Sequence, residues 1–136
     1  MRAPRSANEV ETRLRTRGFP DAVVSETLAF LLERGYVNDE VLACRRVEEL
    51  LLERGHGELR ARHELTLRGL ADSVITRAIA AVLEDRRPID LARRALARRF
   101  RDRPLATAAD RARAYRFLVG RGYPEDVVTA VLEEEA

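Results

Sequence analysis

Apolar residues recur along this chain at spacings of three and four, and no segment shows the two-residue alternation of a strand. Val10 and Leu14, Ala61 and Leu65, and Ala114 and Leu118 are pairs set four apart, which places each on one helix face. Four residues after each pair stands a glycine: Gly18, Gly69 and Gly122. Each follows an arginine and precedes an apolar residue, giving Arg17-Gly18-Phe19, Arg68-Gly69-Leu70 and Arg121-Gly122-Tyr123. A second apolar stripe then opens: Val23, Val24 and Leu28; Val74, Ile75 and Ile79; Val127, Val128 and Leu132. The glycines are 51 and 53 residues apart, so one helix–Arg-Gly–helix unit occurs three times.

Each part of the unit has a physical reading. The Gly falls where the first helix must stop, and it can adopt the left-handed C-cap conformation at low cost. The apolar residue after it folds back on the helix end. Pro20 and Pro124 suit the first turn of the next helix, with acids beside them that complement its dipole. Arg34-Gly35-Tyr36 ends the second helix, and Asn38, Asp39 and Glu40 cap and charge a third. Pro88 and Asp90 open the matching third helix of the second copy, which stops near Pro104.

The pattern therefore predicts eight helices over about 7–17, 21–33, 39–54, 58–68, 71–85, 89–102, 108–120 and 124–135. They group into modules 1–55, 56–104 and 105–136, the last shortened to two helices. A module of this size buries too little surface to stand alone, so the modules stack. The expected fold is all-α: an elongated, curved array of three tandem three-helix modules.

Composition narrows the function classes. Hydrophobic residues make up 46%, enough for a core, but aromatics only 5%, so that core is mostly Leu, Val and Ala. Cys44 is the sole cysteine, which rules out an intrachain disulfide and fits a reducing interior. It stands among Ala43 and Val47 and reads as a small buried residue. His56 and His63 are the only histidines, and no further His or Cys completes a metal set. The glycines are single helix stops, not a phosphate-cradling loop. Nothing points to a catalytic residue, metal or cofactor. Met1 to Asn8 is short and polar, unlike a signal peptide, and no run approaches membrane-span length.

Charge is unevenly spread. Every one of the 25 basic residues is Arg. Residues 57–104 hold 12 Arg against 7 acids, whereas acids outnumber Arg in the segments on either side. Arg94, Arg98 and Arg101 share one face of the predicted helix at 89–102, with Arg93, Arg99 and Arg103 flanking them. Ile89, Ala92, Leu96 and Phe100 lie nearer the opposite side. No acid falls between Asp90 and Asp102, so these six arginines are the candidate contacts for an anionic partner. A solvated face is the bland alternative. Glu9–Arg13, Glu11–Arg15, Glu58–Arg62 and Glu64–Arg68 read as surface i,i+4 pairs. Glu133-Glu134-Glu135 opposes the helix dipole and reads as a frayed end.

The turn sequences also carry a resemblance. Gly35-Tyr36-Val37-Asn38-Asp39-Glu40-Val41-Leu42-Ala43 resembles the Gly-Tyr-Leu-Asp-Asp-x-x-Phe-Ala signature of the RecX family, regulators of the RecA recombinase. Gly57 followed by Glu64-Leu65-Thr66-Leu67-Arg68-Gly69-Leu70 resembles that family's Gly…Glu-Leu-x-x-Lys-Gly-Ile segment. Phe117-Leu118-Val119-Gly120-Arg121-Gly122-Tyr123 resembles its C-terminal Phe-Leu-x-x-Arg-Gly-Phe, and Arg5-Ser6 its Arg-Ser entry. Ala61, Leu42 and Arg68 depart from the family residues but keep their apolar or basic character.

The resemblance implies a cytoplasmic, non-enzymatic array of three-helix modules, monomeric when free. It implies binding in the groove of the RecA filament on single-stranded DNA. Such binding would limit filament growth and suppress strand exchange, ATP hydrolysis and co-protease activity, with effects on DNA repair and the SOS response. The residues alone also allow a general DNA-binding helical repeat or a structural scaffold.

Overall fold

The computed structural model describes residues 5–101 and 103–134. Among these the chain forms eight α-helices and no strand. They are α1 (Ala7–Thr16), α2 (Asp21–Glu33), α3 (Asp39–Glu48), α4 (Glu58–Leu67), α5 (Asp72–Val82), α6 (Pro88–Phe100), α7 (Ala108–Gly120) and α8 (Glu125–Glu134). A π-helical turn, Glu49–Glu53, extends α3. The chain exposes 8906 Å². A compact globule of this mass would expose about 7,200 Å², so the array is elongated.

Helix ends follow the expected chemistry. Ser6 caps α1 in a capping box with Glu9, and Asn38 caps α3 through the Val41 N–H. Gly18, Gly69 and Gly122 have φ of 87°, 81° and 94°, the left-handed conformation a C-cap turn requires. The helix placed at 89–102 ends at Phe100, because Arg101 leaves helical geometry with φ 47° and ψ 52°. Asp102 and Glu135, placed at the last turns of two predicted helices, lie outside the described residues, as do residues 1–4.

The sequence repeat and the core have different phases. One cluster joins α3 and its π-turn to α4 and α5 through Leu42, Val47, Leu50, Leu65, Ile75 and Ile79. A second joins α6, α7 and α8 through Leu91, Leu96, Leu118, Val128 and Val131. The third helix of each sequence module thus crosses over to cover the second helix of the next. The first cluster runs across position 55 and the second across position 104. Leu52 of the π-turn and Leu83 touch both clusters. The wider turn places Leu50 and Leu51 side by side in the core and turns Leu52 toward the next unit.

The first helix pair has no such cover. α1 buries no residue fully, and α2 buries only Val24 of the expected stripe. Val23 is exposed and Leu28 half-buried. Of their counterparts under the covering helices α3 and α6, Ile79 is buried and Val74, Val127 and Leu132 are half-buried. Cys44 is half-buried at the margin of the first cluster rather than enclosed in it.

Successive modules meet at one repeated joint: the start of a first helix sits on the Arg-Gly turn that closes the next module's first helix. The Ser6 hydroxyl donates to Arg68 O at 2.9 Å. The Gly57 N–H donates to Arg121 O at 2.8 Å, and the Leu59 N–H to Gly122 O at 3.0 Å. Orphan donors of one helix thereby meet orphan acceptors of another. Ion pairs surround the joint. Of the expected surface pairs, Glu11–Arg15 forms at 3.1 Å, while Arg62 turns to Asp72. Glu9 bridges to Arg68 across the joint and Glu64 to Arg46 across helices. The Arg46 hydrogen bond holds the Glu64 carboxyl below its usual range, against the effect of burial. Tyr123 closes the second joint by donating to Gly55 O at 2.8 Å, and burial pushes its hydroxyl up to about 12.

The joint admits no side chain. A Cβ on Gly57 would lie 2.4 Å from the backbone of Gly122, and one on Gly122 2.4 Å from Arg60 Cβ. Gly57→Ala or Gly122→Ala is expected to cost about 3 kcal/mol in urea unfolding. Gly120→Ala, one turn away with open space around it, should gain up to about 1 kcal/mol.

His56 lies buried at the same joint with its Nδ1 unpaired. Burial, then Arg60, Arg121 and Arg54, lower its pKa, against a weaker pull from Glu64. The neutral form is therefore the one folding favours. Its contribution should be complete above the unfolded value of about 6.5 and decline as pH falls below it. Unfolding measured between about pH 5 and 7.5 should show this slope, and His56→Gln should flatten it.

Candidate anion-binding groove

The C-terminal unit presents a basic concavity. Pro88 sits in the first turn of α6, where its missing N–H is harmless, and Leu91, Ala92, Ala95 and Leu96 bury the inner face. That leaves the last turn of α6 and the residues after it turned outward against α7. Thr107 and Asp110 form a capping box that starts α7 and brings Arg113, Arg116 and Phe117 to the facing wall. The result is a half-open groove of about 940 Å³ lined by Arg98, Arg99, Phe100, Arg101, Arg103, Arg113, Arg116 and Phe117. A smaller recess of about 260 Å³ continues past Arg98, Arg99 and Phe117 to Arg54 and Arg121.

The six arginines predicted from the sequence do not all converge. Arg98, Arg99, Arg101 and Arg103 line the groove. Arg93 lies outside it, bonded to Asp90 at 2.7 Å and to Glu134. For Glu133 and Glu134 the expectation of a frayed end is corrected, since α8 runs through Glu134, which Arg93 meets across the unit, while Glu135 lies outside the described residues. Arg94 is exposed and does not line the groove. Arg101 reaches the groove through its left-handed backbone, not through the helical face it was assigned to.

Other groove residues had escaped the sequence reading. Arg113 and Arg116 stand three apart on α7, a signal hidden by the acidic excess of residues 105–136. Phe100, placed on the opposite side from the arginines, packs edge-on to Phe117 with ring centroids 5.9 Å apart. This pair forms the floor. The Arg99 guanidinium lies 5.6 Å from the Phe100 centroid and 6.0 Å from that of Phe117, and Arg121 lies 5.2 Å from Phe117. The rings hold these cations in place by their quadrupoles.

Among the described residues the groove carries almost no countercharge. Arg113 pairs with Asp110 at 2.8 Å, and Arg98 makes one long bond of 3.4 Å to Glu53 O. Arg99, Arg101, Arg103 and Arg116 form no ion pair among the described residues. Guanidinium forks so arranged suit phosphate or carboxylate. Among the described residues no cluster of His, Cys, Asp and Glu could hold a metal ion, and no helix is long and apolar enough to cross a membrane.

Comparison with known proteins places the chain. The family model for the RecX third three-helix domain matches residues 85–132, the segment of α6, α7 and α8, and that for the RecX first three-helix domain matches residues 1–31. The regulatory protein RecX of Vibrio parahaemolyticus is 32% identical over 127 residues, spanning 93% of this chain and 80% of that protein. The chain belongs to the RecX family. The regulatory protein RecX of Mycolicibacterium smegmatis is 34% identical over 142 residues, 96% of this chain and 74% of its own length. The crystal structure of RecX from Lactobacillus salivarius shares the fold, with a TM-score of 0.81 at 18% identity over 98% of this chain and 86% of that one. The Vibrio and Mycolicibacterium relatives are named regulatory proteins, and the Lactobacillus structure shares the helical array described above.

Uncompensated like charge has a measurable cost. Arg116→Gln is expected to raise stability by about 0.3–0.5 kcal/mol at low salt, since it relieves repulsion without breaking an ion pair. The gain should vanish near 0.5 M salt, where screening removes the repulsion.

Proposed function

We propose that this protein regulates the RecA recombinase by lying in the groove of the RecA filament on single-stranded DNA. It spans neighbouring protomers, limits filament growth, and lowers strand exchange, ATP hydrolysis and co-protease activity, thereby modulating DNA repair and the SOS response. It acts by occupancy and has no catalytic step of its own. The observation that carries this reading is membership of a family whose named members are regulatory proteins, across almost the whole chain. The elongated shape supports it, because successive modules can reach successive subunits of a filament. The basic groove supplies the contact surface, with Arg98, Arg99, Arg101 and Arg103 facing the filament or its DNA. Arg93 and Arg94 lie outside the groove and are not part of that surface.

The direct test is RecA ATP hydrolysis on single-stranded DNA with added protein. Inhibition below one protein per RecA subunit is expected. The Arg98→Glu, Arg99→Glu, Arg101→Glu triple variant should remain helical by circular dichroism and lose at least about tenfold in inhibitory potency. Undiminished inhibition by that variant would remove the groove from the mechanism, and no inhibition by the wild type would remove the mechanism itself.

A further inference from the structure

Each module begins with a helix that has a start and an Arg-Gly turn at its end, which makes three of each, yet only two joints form among the described residues. The start of α1 seats on the Arg68-Gly69 turn, and the start of α4 on the Arg121-Gly122 turn. The start of α7 and the turn Arg17-Gly18-Phe19 are left over, at opposite ends of the array. Exposure sets both apart. The helix-start residues Ser6 and Gly57 are buried, whereas Thr107 is exposed. Leu70 and Tyr123, which follow the two seated turns, are 5% and 4% exposed, whereas Phe19 is 46% exposed. A Cβ on Gly69 or Gly122 would meet the seated helix at 2.5 or 2.4 Å, while nothing lies within 4 Å of one on Gly18.

We propose that these two ends are the halves of a third joint, made between two copies of this chain, with the start of α7 in one copy seated on the Arg17-Gly18-Phe19 turn of the next. The chemistry on the two sides repeats that of the first joint. There Ser6 forms a capping box with Glu9, its hydroxyl donates to Arg68 O, and Glu9 pairs with the Arg68 guanidinium at 2.9 Å. The start of α7 carries the same set in Thr107 and Asp110, again a capping box. The left-over turn carries the same acceptor and cation in Arg17, which forms no ion pair among the described residues. In the joint the Thr107 hydroxyl donates to Arg17 O of the next copy, Asp110 exchanges Arg113 for that Arg17, and Phe19 is enclosed as Leu70 and Tyr123 are. A donor end of one helix again meets an acceptor end of another, as it does twice within the chain.

Each copy offers its neighbour a different end, so the contact is heterologous and extends as an open row. It is also weak. One helix start on one turn covers much less than the roughly 1,200 Å² that a stable complex buries. Among the described residues no helix follows α8 to cover α2 of the next copy. A dissociation constant on the order of 0.1–1 mM is expected, which leaves the chain monomeric at micromolar concentration. Copies laid in succession along one filament groove would meet at effective concentrations of about that size. This setting rests on the proposed function; the contact itself does not.

The test uses the whole protein alone, diluted from about 1 mM, with amide shifts followed by NMR and mass by sedimentation equilibrium. The amides of 17–19 and 107–110 should shift together along one curve, and the mass should rise past that of a dimer. Arg17→Glu breaks no ion pair among the described residues, so it should stay helical by circular dichroism and associate at least about tenfold more weakly. Asp110→Arg should behave likewise. An equimolar mixture of the two variants pairs opposite charges at every joint, and should associate within about threefold of wild type. A wild type that is monomeric at 1 mM would overturn the inference, as would shifts confined to other surfaces or a mass that stops at a closed dimer. Unchanged association of Arg17→Glu overturns it too, as does a mixture that associates no better than either variant alone. If Asp110→Arg loses helicity, the Arg17→Glu series decides by itself. None of these readouts involves RecA, so failure here leaves the regulatory reading intact, and failure of that reading leaves the joint standing.

Discussion

The contact on which the array depends is a helix start seated on another helix's end. The N–H groups at the beginning of α4 donate to the carbonyls of the Arg121-Gly122 turn, and Ser6 does the same to Arg68 by its hydroxyl. Each helix terminus leaves backbone groups without partners, and burying them unpaired is costly. Joining a donor end to an acceptor end satisfies both at once and aligns opposite ends of two helix dipoles. The geometry demands that backbones nearly touch, which explains why glycine stands on both sides of the second joint. Spacing at the second joint is thereby set by main chain, not by adjustable side-chain packing.

The crossover of α3 and α6 follows from the same arrangement. Once the first helices are locked end to start, the third helix of a module lies over the second helix of its successor. It closes the hydrophobic clusters there. The π-turn after α3 lets a single short segment serve both clusters, with Leu50 and Leu51 inward and Leu52 toward the next unit. Burial at the joint has consequences for charge as well. Tyr123 and His56 sit there in their neutral forms, and three arginines around the imidazole reinforce that preference.

Much of this was legible in the sequence because the relevant signals are local. Helix starts and stops depend on capping residues, on Pro at the first turn and on Gly at the end, all within a few positions of one another. The eight helices came from such signals, and the RecX resemblance came from the turns. What was hidden depends on neighbours distant in sequence. The stripe on α2 looks like those on α5 and α8, but its burial depends on a covering helix that only the latter two have. The groove was half visible: Arg98, Arg99, Arg101 and Arg103 were found from their density. Helical geometry could not foresee that Arg93 would be taken up by Asp90 and Glu134. Arg113 and Arg116 belong to a segment whose net charge is negative, so a sum over residues concealed a local basic face.

The bare first pair implies a gradient of order along the molecule. α1 contributes no fully buried side chain and α2 one, whereas α6, α7 and α8 enclose a continuous cluster. Backbone amides in the first two helices are held by local hydrogen bonds and a single joint, so they open at small free-energy cost. Those of the last three open only when their shared core does. The protein accordingly has a compliant leading end and a rigid trailing end, with the basic groove at the rigid one. Its arginines keep their spacing through fluctuations that leave the other end free to adjust to whatever surface it meets.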